Sequence, residues 1–272
     1  GVDDFFDISL ASDIIPHTEG SISSWFKIDS SNTSTKFMFD IFDSSQTALG
    51  RIGLQYFNTS GNTVFALNGL YRDETSNGTF TNRFCNAKTG TSHHGKPFNR
   101  ISSDYGDFGS STDSIYNANN MKGNWTHVVW TWDTTDSYTY SSTTYNGVMK
   151  LYINGVLRNA GVSSTASHNG TGTAVGLVGI DSGTVFDTIR IGARFNGNND
   201  IDMLTDEFAV FNTVLAADDV TNIYNSGVPG DLSSYSDLVG WWRFEDDSTD
   251  SSSNSNSGTL TNGATFSSDI PS

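Results

Sequence analysis

The stretch from Trp125 to Gly155 constrains the fold more than any other part of the chain. Trp125-Thr126-His127-Val128-Val129-Trp130-Thr131-Trp132-Asp133 is followed by Met149-Lys150-Leu151-Tyr152-Ile153-Asn154-Gly155. Both runs are dense in aromatic and β-branched residues, which suit a pleated, half-buried surface. Side chains alternate along a strand, so Val128, Trp130 and Trp132 share one side and His127, Val129 and Thr131 the other. In the second run Met149, Leu151 and Ile153 alternate with Lys150 and Tyr152. It ends in Asn154-Gly155, which accepts positive φ at both positions of a tight hairpin turn. The two runs are expected as neighbouring strands of a large antiparallel sheet.

Together they resemble the central hairpin of laminin-G-like jelly-roll domains, in the concanavalin A-like lectin/glucanase superfamily. Gly1-Val2-Asp3-Asp4-Phe5-Phe6 is similar to that family's early "G-x-D-D-Y-V" strand, and Ile22 to Lys27 to its "I-S-x-W-x-K" strand. Ile189 to Gly192 resembles "I-x-I-G", and Asp206 to Asn212 resembles "D-E-V-x-I-Y-N". The resemblance implies an all-β fold: a two-sheet antiparallel β-sandwich of the concanavalin A-like jelly-roll type. Long loop inserts are expected, with one short helix near 216–225, where Asp218-Asp219 occupy the first turn. The superfamily hosts lectins, glycosidases, adhesion modules and virion proteins, so the fold leaves function open.

The order of the chain ends differs from the family pattern. Residues 238–266, with Leu238-Val239-Gly240-Trp241-Trp242, resemble how such a domain begins, yet here they close the chain. The expectation is one domain over 1–272 in permuted order, with 238–245 beside the strand that begins at Gly1. The alternative is a slice of a tandem array. Trp241 and Trp242 are adjacent, so one ring enters the core and the other needs a cover from a loop, a second sheet or a partner subunit. A chain starting at Gly1 without Met is expected to be a mature or excised fragment. Residues 72–121, 133–147 and 160–187 read as polar inserts without sustained alternation.

Net charge excludes some partners. With 14 Lys and Arg against 30 Asp and Glu, the chain carries −16, which argues against binding a nucleic-acid backbone. No apolar run approaches the roughly 20 residues needed to cross a bilayer. A single Cys85 excludes an internal disulfide. The adjacent His93 and His94 point apart on an extended loop and have no zinc spacing with Cys85. Neither a Gly-x-Ser-x-Gly elbow nor a Gly-rich phosphate loop is present.

Asp202, Asp206 and Glu207 form the densest acidic cluster that a motif places. Glycosidases of this superfamily set their carboxylates at alternate positions of one strand. Asp206 and Glu207 are adjacent and should face opposite ways, so catalysis by a carboxylate pair is not expected. The resemblance instead implies a structural Ca2+ at Asp206, with Asp3 or Asp4 and nearby carbonyls as partners. The competing reading has Asp206 capping a turn or pairing with Arg190 or Arg194. For glycans, the loop aromatics Tyr105, Tyr116, Tyr138 and Tyr140 are the candidate platform, against the reading that such rings anchor the inserts. Sequons begin at Asn32, Asn58, Asn77, Asn124 and Asn169, as chance allows in a chain this rich in Asn, Ser and Thr.

The expected role is therefore non-enzymatic. The C-terminal phrase also resembles segments of virion structural proteins from marine phages. A virion decoration or fibre-type module with possible glycan binding is the first reading, at a virion surface or outside the cell. Its partners would be other assembly subunits, as a homo-oligomer, and glycans. A free extracellular carbohydrate-binding or adhesion module is the alternative, and a glycosidase is disfavoured.

Overall fold

The computed structural model describes residues 3–10, 14–45, 50–60, 64–75, 79–87, 118–140, 142–162, 175–177, 179–180 and 183–272. One sheet is built from β1 (Phe5–Ser9), β3 (Lys36–Phe42), β4 (Arg51–Ser60), β5 (Val64–Thr75), β6 (Thr79–Ala87), β10 (Thr188–Ile191) and β13 (Gly258–Thr261). Its seven strands run in the order β13-β1-β10-β3-β4-β5-β6. The other sheet holds β2 (Glu19–Ile28), β7 (Thr126–Tyr140), β8 (Thr143–Ile153), β9 (Val156–Ala160), β11 (Met203–Phe211) and β12 (Leu238–Trp242). It is ordered β12-β11-β2-β7-β8-β9. Among the described residues, every pairing between these strands is antiparallel. The fold is a two-sheet antiparallel β-sandwich with one short helix, α1 (Ala217–Tyr224).

The diagnostic hairpin forms as its alternation dictates. Val128 pairs with Ile153, Trp130 with Leu151 and Trp132 with Met149. Asn154 and Gly155 make the turn into β9 with φ of 51° and 76°. The core between the sheets contains Val128, Trp130, Trp132, Leu151, Ile153, Ile191, Phe208 and Val210. Trp130 lies flat because Gly69 faces it: a Cβ there would stand 2.3 Å from the indole Nε1.

A second apolar cluster lies on the outer face of the six-stranded sheet. Val129, Tyr152, Ala209, Phe211 and Trp241 alternate out of the core and are covered by Leu215, Val220, Ile223 and Leu232. Helix α1 thus closes this face from within the chain. Trp242 enters the main core and Trp241 the second cluster, so no partner subunit is needed to cover either indole.

Three expectations need correction. The strand beside β1 is β13, not 238–245, which pairs with β11 in the other sheet. Residues 133–147 are not a loop: β7 continues to Tyr140 and β8 begins at Thr143, and Tyr138 pairs with Tyr145. Residues 72–75 likewise extend β5 and 79–87 form β6, with Phe84 opposite Leu70 and Cys85 opposite Gly69. In both segments polar residues on either side of a strand hid the period of two. Among the described residues, no helix is long and apolar enough to cross a membrane.

Candidate functional site

Strand β11 opens the site because its pairing is broken. Asp206 pairs with Trp25 and Ala209 with Ser23, so three steps on β11 match two on β2. This bulge is completed by Glu207, whose φ is 51°, a left-handed value uncommon for a side-chain-bearing residue. The two acids have separate surroundings. Glu207 accepts hydrogen bonds from Trp241 Nε1 at 2.5 Å and Arg243 Nε at 3.5 Å.

Asp206 instead lines a cavity of about 280 Å³, together with Asp4, Phe5, Phe244 and Phe266. One wall is the run Ile201 to Asp206, and residues 263–267 close the opposite side. Phe244 is fixed by an edge contact with Phe6, ring centres 5.1 Å apart. A wider groove of about 680 Å³ adjoins it, sharing Asp202, Met203, Leu204 and Asp269. Asp269 ties the C-terminal segment down by accepting from Lys27 Nζ at 2.5 Å and Trp125 Nε1 at 3.0 Å.

Asp206 is 8% exposed. Its Oδ1 accepts the Glu207 N–H at 2.9 Å, and among the described residues no hydrogen bond reaches Oδ2. Burial, reinforced by the neighbouring Glu207 charge, pushes its carboxyl up to about 7. Burial also raises Glu207, against the opposing effect of its bond from Trp241. At neutral pH Asp206 can therefore either accept or donate a hydrogen bond in the cavity.

The other predicted residues are dispersed. Asp4 shares the cavity with Asp206. Asp3 is exposed at φ 71°, and its carbonyl accepts from Asn262 Nδ2. Neither Arg190 nor Arg194 pairs with Asp206; Arg190 grips Asp7 with two bonds of 2.7 Å. Tyr138 is buried, and its hydroxyl shares its hydrogen between the Val162 and Val175 carbonyls, so its ring anchors the chain rather than facing a ligand. Tyr105, Tyr116 and the side chain of Tyr140 lie outside the described residues. Asn32 is buried with its amide bonded to the Asp29 and Asp202 carbonyls, so that sequon is a structural turn.

His127 is buried. It lies against Trp25 and Tyr224 with ring centres 5.1 and 5.9 Å away, and one nitrogen meets Ser23 Oγ at 2.9 Å. Its Nδ1 has no hydrogen-bond partner, and burial depresses the ring to about 3. Phe244 and Phe266 were not singled out from sequence. The only signal was their position in a segment that resembles a domain beginning.

No family model matches the chain, and no curated protein does. Solved structures do. A proposed carbohydrate-binding protein from Bacteroides ovatus is 12% identical, with a TM-score of 0.50 over 98% of this chain and 60% of that one. A heptameric SAP-like pentraxin from Limulus polyphemus is 12% identical, with a TM-score of 0.43 over 97% and 89%. The receptor-binding domain of botulinum neurotoxin mosaic serotype C/D is 16% identical, with a TM-score of 0.42 over 83% and 43%. The chain thus spans less than half of that toxin domain and three fifths of the Bacteroides protein. The likeness to the Bacteroides protein concerns the fold alone: a jelly-roll β-sandwich.

Proposed function

We propose that this sandwich is a non-enzymatic glycan-binding module of laminin-G-like type, with the cavity between β1 and β11 as its site. The observation that carries the reading is the Asp206 carboxylate, its Oδ2 without a hydrogen bond among the described residues, in a cavity that Phe5, Phe244 and Phe266 also line. Aromatic walls with a few placed polar groups are what a sugar site requires, and the volume stands near the lower end of the roughly 300–1,000 Å³ of small-ligand pockets. The carbohydrate-binding role proposed for the Bacteroides protein is in keeping with it. Hydrolysis is disfavoured because Glu207 is held by Trp241 and Arg243 and does not line the cavity.

The test is titration of the intact protein with neutral oligosaccharides, alongside Asp206→Asn and Phe266→Ala. Saturable binding weakened at least about tenfold in both variants is expected. A protein that binds no neutral glycan, or variants that bind as well as the parent, would sink the reading.

Calcium belongs to the same proposal. Asp4 and Asp206 supply two carboxylates, but among the described residues no three acidic, histidine or cysteine side chains form a metal-holding group. The donors fit a loosely held ion completed by carbonyls and water. Chelator should then lower the melting temperature of the parent and leave Asp206→Ala unchanged. A particle-borne setting, with a homo-oligomer at a virion surface, is the second reading and rests on the C-terminal resemblance. Sedimentation of the intact chain as a monomer at all concentrations would count against it.

A further inference from the structure

The outer face of the seven-stranded sheet carries an arrangement that sugar binding at the cavity does not use. Residues paired across strands share a face. One row runs Asp7, Arg190, Asp40 and Gly53; the next runs Thr188, Phe42, Arg51 and Arg72. A loop after β10 folds onto these rows. Asp40 Oδ2 accepts the Phe195 N–H at 3.0 Å, and Arg190 Nη1 donates to the Phe195 carbonyl at 2.9 Å. This brings Arg194 in beside Arg51, each guanidinium carbon 4.8 Å from the centre of the Phe195 ring and within 5.7 Å of Phe37. Gly53 keeps the row open, since a Cβ there would stand 2.9 Å from Asp40 Oδ1.

Among the described residues, the charges of Arg51 and Arg194 are not balanced. Arg190 is matched by Asp7. Arg51 and Arg194 share one buried carboxylate, Asp40, and Arg72 lies beside both with its Nε donating to Asn82 Oδ1 at 3.0 Å. Arg51 is 3% exposed yet makes a single side-chain hydrogen bond, Nη1 to Asp40 Oδ2 at 2.9 Å. Its Nε is buried without a partner, as is the Nε of Arg194. Among the described residues, the Arg194 guanidinium makes no hydrogen bond. Burial, with the Arg72 and Arg194 charges adding to it, pulls Arg51 down to about 10, against the opposing pull of Asp40. A trapped water could accept one of these donors but would leave the excess positive charge in place. The chain has only 14 Lys and Arg in all and a net charge of −16, so this concentration of guanidinium does not follow from composition.

We propose that Arg51, Arg72 and Arg194 form an oxyanion-binding site on this face, which takes the carboxylate, sulfate or phosphate group of an acidic ligand. Planar guanidiniums bind such groups through paired, charge-assisted hydrogen bonds. Arg194 and Arg72 are half-buried and reach solvent, whereas Arg51 forms the floor. The Phe195 and Phe37 rings hold the Arg51 and Arg194 planes in place.

Calorimetric titration of the intact protein at low salt tests this, using inorganic sulfate, inorganic phosphate, glucuronate and galactose 6-sulfate, with galactose as the neutral control. At least one anion should bind saturably, and the affinity should fall about tenfold or more in Arg194→Gln and in Arg72→Gln. Lys150→Gln removes the same charge from an exposed ion pair elsewhere and should leave binding unchanged. Equal binding of inorganic and sugar-borne oxyanions would assign the site to the free ion. Binding of the sugar-borne forms alone would assign it to an acidic glycan. No saturable anion binding, or equal losses in all three variants, would overturn the proposal. Melting curves of each variant separate lost binding from lost folding. Binding of the neutral sugar reports the Asp206 cavity independently, so either site can fail without the other.

Discussion

The two outer faces of this sandwich are both covered, but they are finished differently. On the six-stranded sheet, Val129, Phe211 and Trp241 are sealed under α1 and Leu232. Its buried polar groups are neutral: Ser21 Oγ donates to the Thr213 carbonyl and accepts the Leu215 N–H, both at 2.8 Å, and His127, whose Nδ1 lacks a partner, stays uncharged at neutral pH. On the seven-stranded sheet, Arg51 and Asp40 are just as buried, yet the Nε atoms of Arg51 and Arg194 and the Oδ1 of Asp40 lack partners. Packing for stability alone favours apolar residues over buried ion pairs of this kind. The difference separates a face built to hold the fold from one built to meet something else.

The largest test of the comparison is deletion of 238–272. It removes β12 and β13 from the two sheets, with Trp241 from the sealed face and Trp242 from the core. The 1–237 fragment should be unfolded by circular dichroism, and a cooperative melt would mean that neither face depends on the C-terminal strands. Next in size are paired substitutions. Phe211→Ala and Asp40→Asn should each cost about 3–5 kcal/mol, the first through a cavity and the second through uncompensated guanidinium charge. Only the second should be recovered by adding Arg51→Met, because a buried charge can be replaced whereas a cavity persists. Denaturant melts that show no such recovery would place the two faces in one class.

Smaller effects come from pH. His127 is held near 3, below its unfolded value near 6.5, so the stability it contributes is full above pH 6.5 and is lost as pH falls toward 3. His127→Gln should flatten that acid limb by on the order of 3 kcal/mol. Asp206 is raised to about 7, so its contribution is full below about pH 4 and is lost as pH rises through 7. With chelator present, Asp206→Asn should therefore stabilise at pH 8, by about 1–2 kcal/mol after allowance for solvent reaching the cavity, and do nothing at pH 4. Melting temperatures across pH 4–8 read both.

The sequence reading reached the sealed face and stopped at the charged one. Alternation along Val128–Trp132 and Leu151–Ile153 stated the inner face outright, and the adjacent indoles of Trp241 and Trp242 announced a second cover. These are local patterns, set by neighbours two residues apart. Asp40, Arg51, Arg72 and Arg194 lie on separate segments that only strand register and one folded loop bring together, so no spacing betrays them. The cavity was half legible. Asp4 and Asp206 were named, but Phe244 and Phe266 come from the segment after β12, and the bulge at Glu207 depends on a backbone angle that side-chain alternation does not encode.

The finest test concerns how α1 seals the apolar face. Its N-cap is Ala216, which has no side-chain oxygen to meet the first-turn N–H groups. Half of a capping box is nonetheless in place, since Asp219 Oδ2 accepts the Ala216 N–H at 3.3 Å. Backbone angles of −68° and 158° at Ala216 are already those of an N-cap, so a serine there needs no rearrangement. Ala216→Ser should supply the missing reciprocal bond to the Asp219 N–H and add about 0.5–1 kcal/mol. Because Val220 and Ile223 carry the helix onto the Phe211 cluster, the gain should appear in global unfolding. If Ala216→Ser slows exchange only at the helix amides and leaves the global melt unchanged, α1 opens independently of the sheet beneath it, and the seal is weaker than its packing implies.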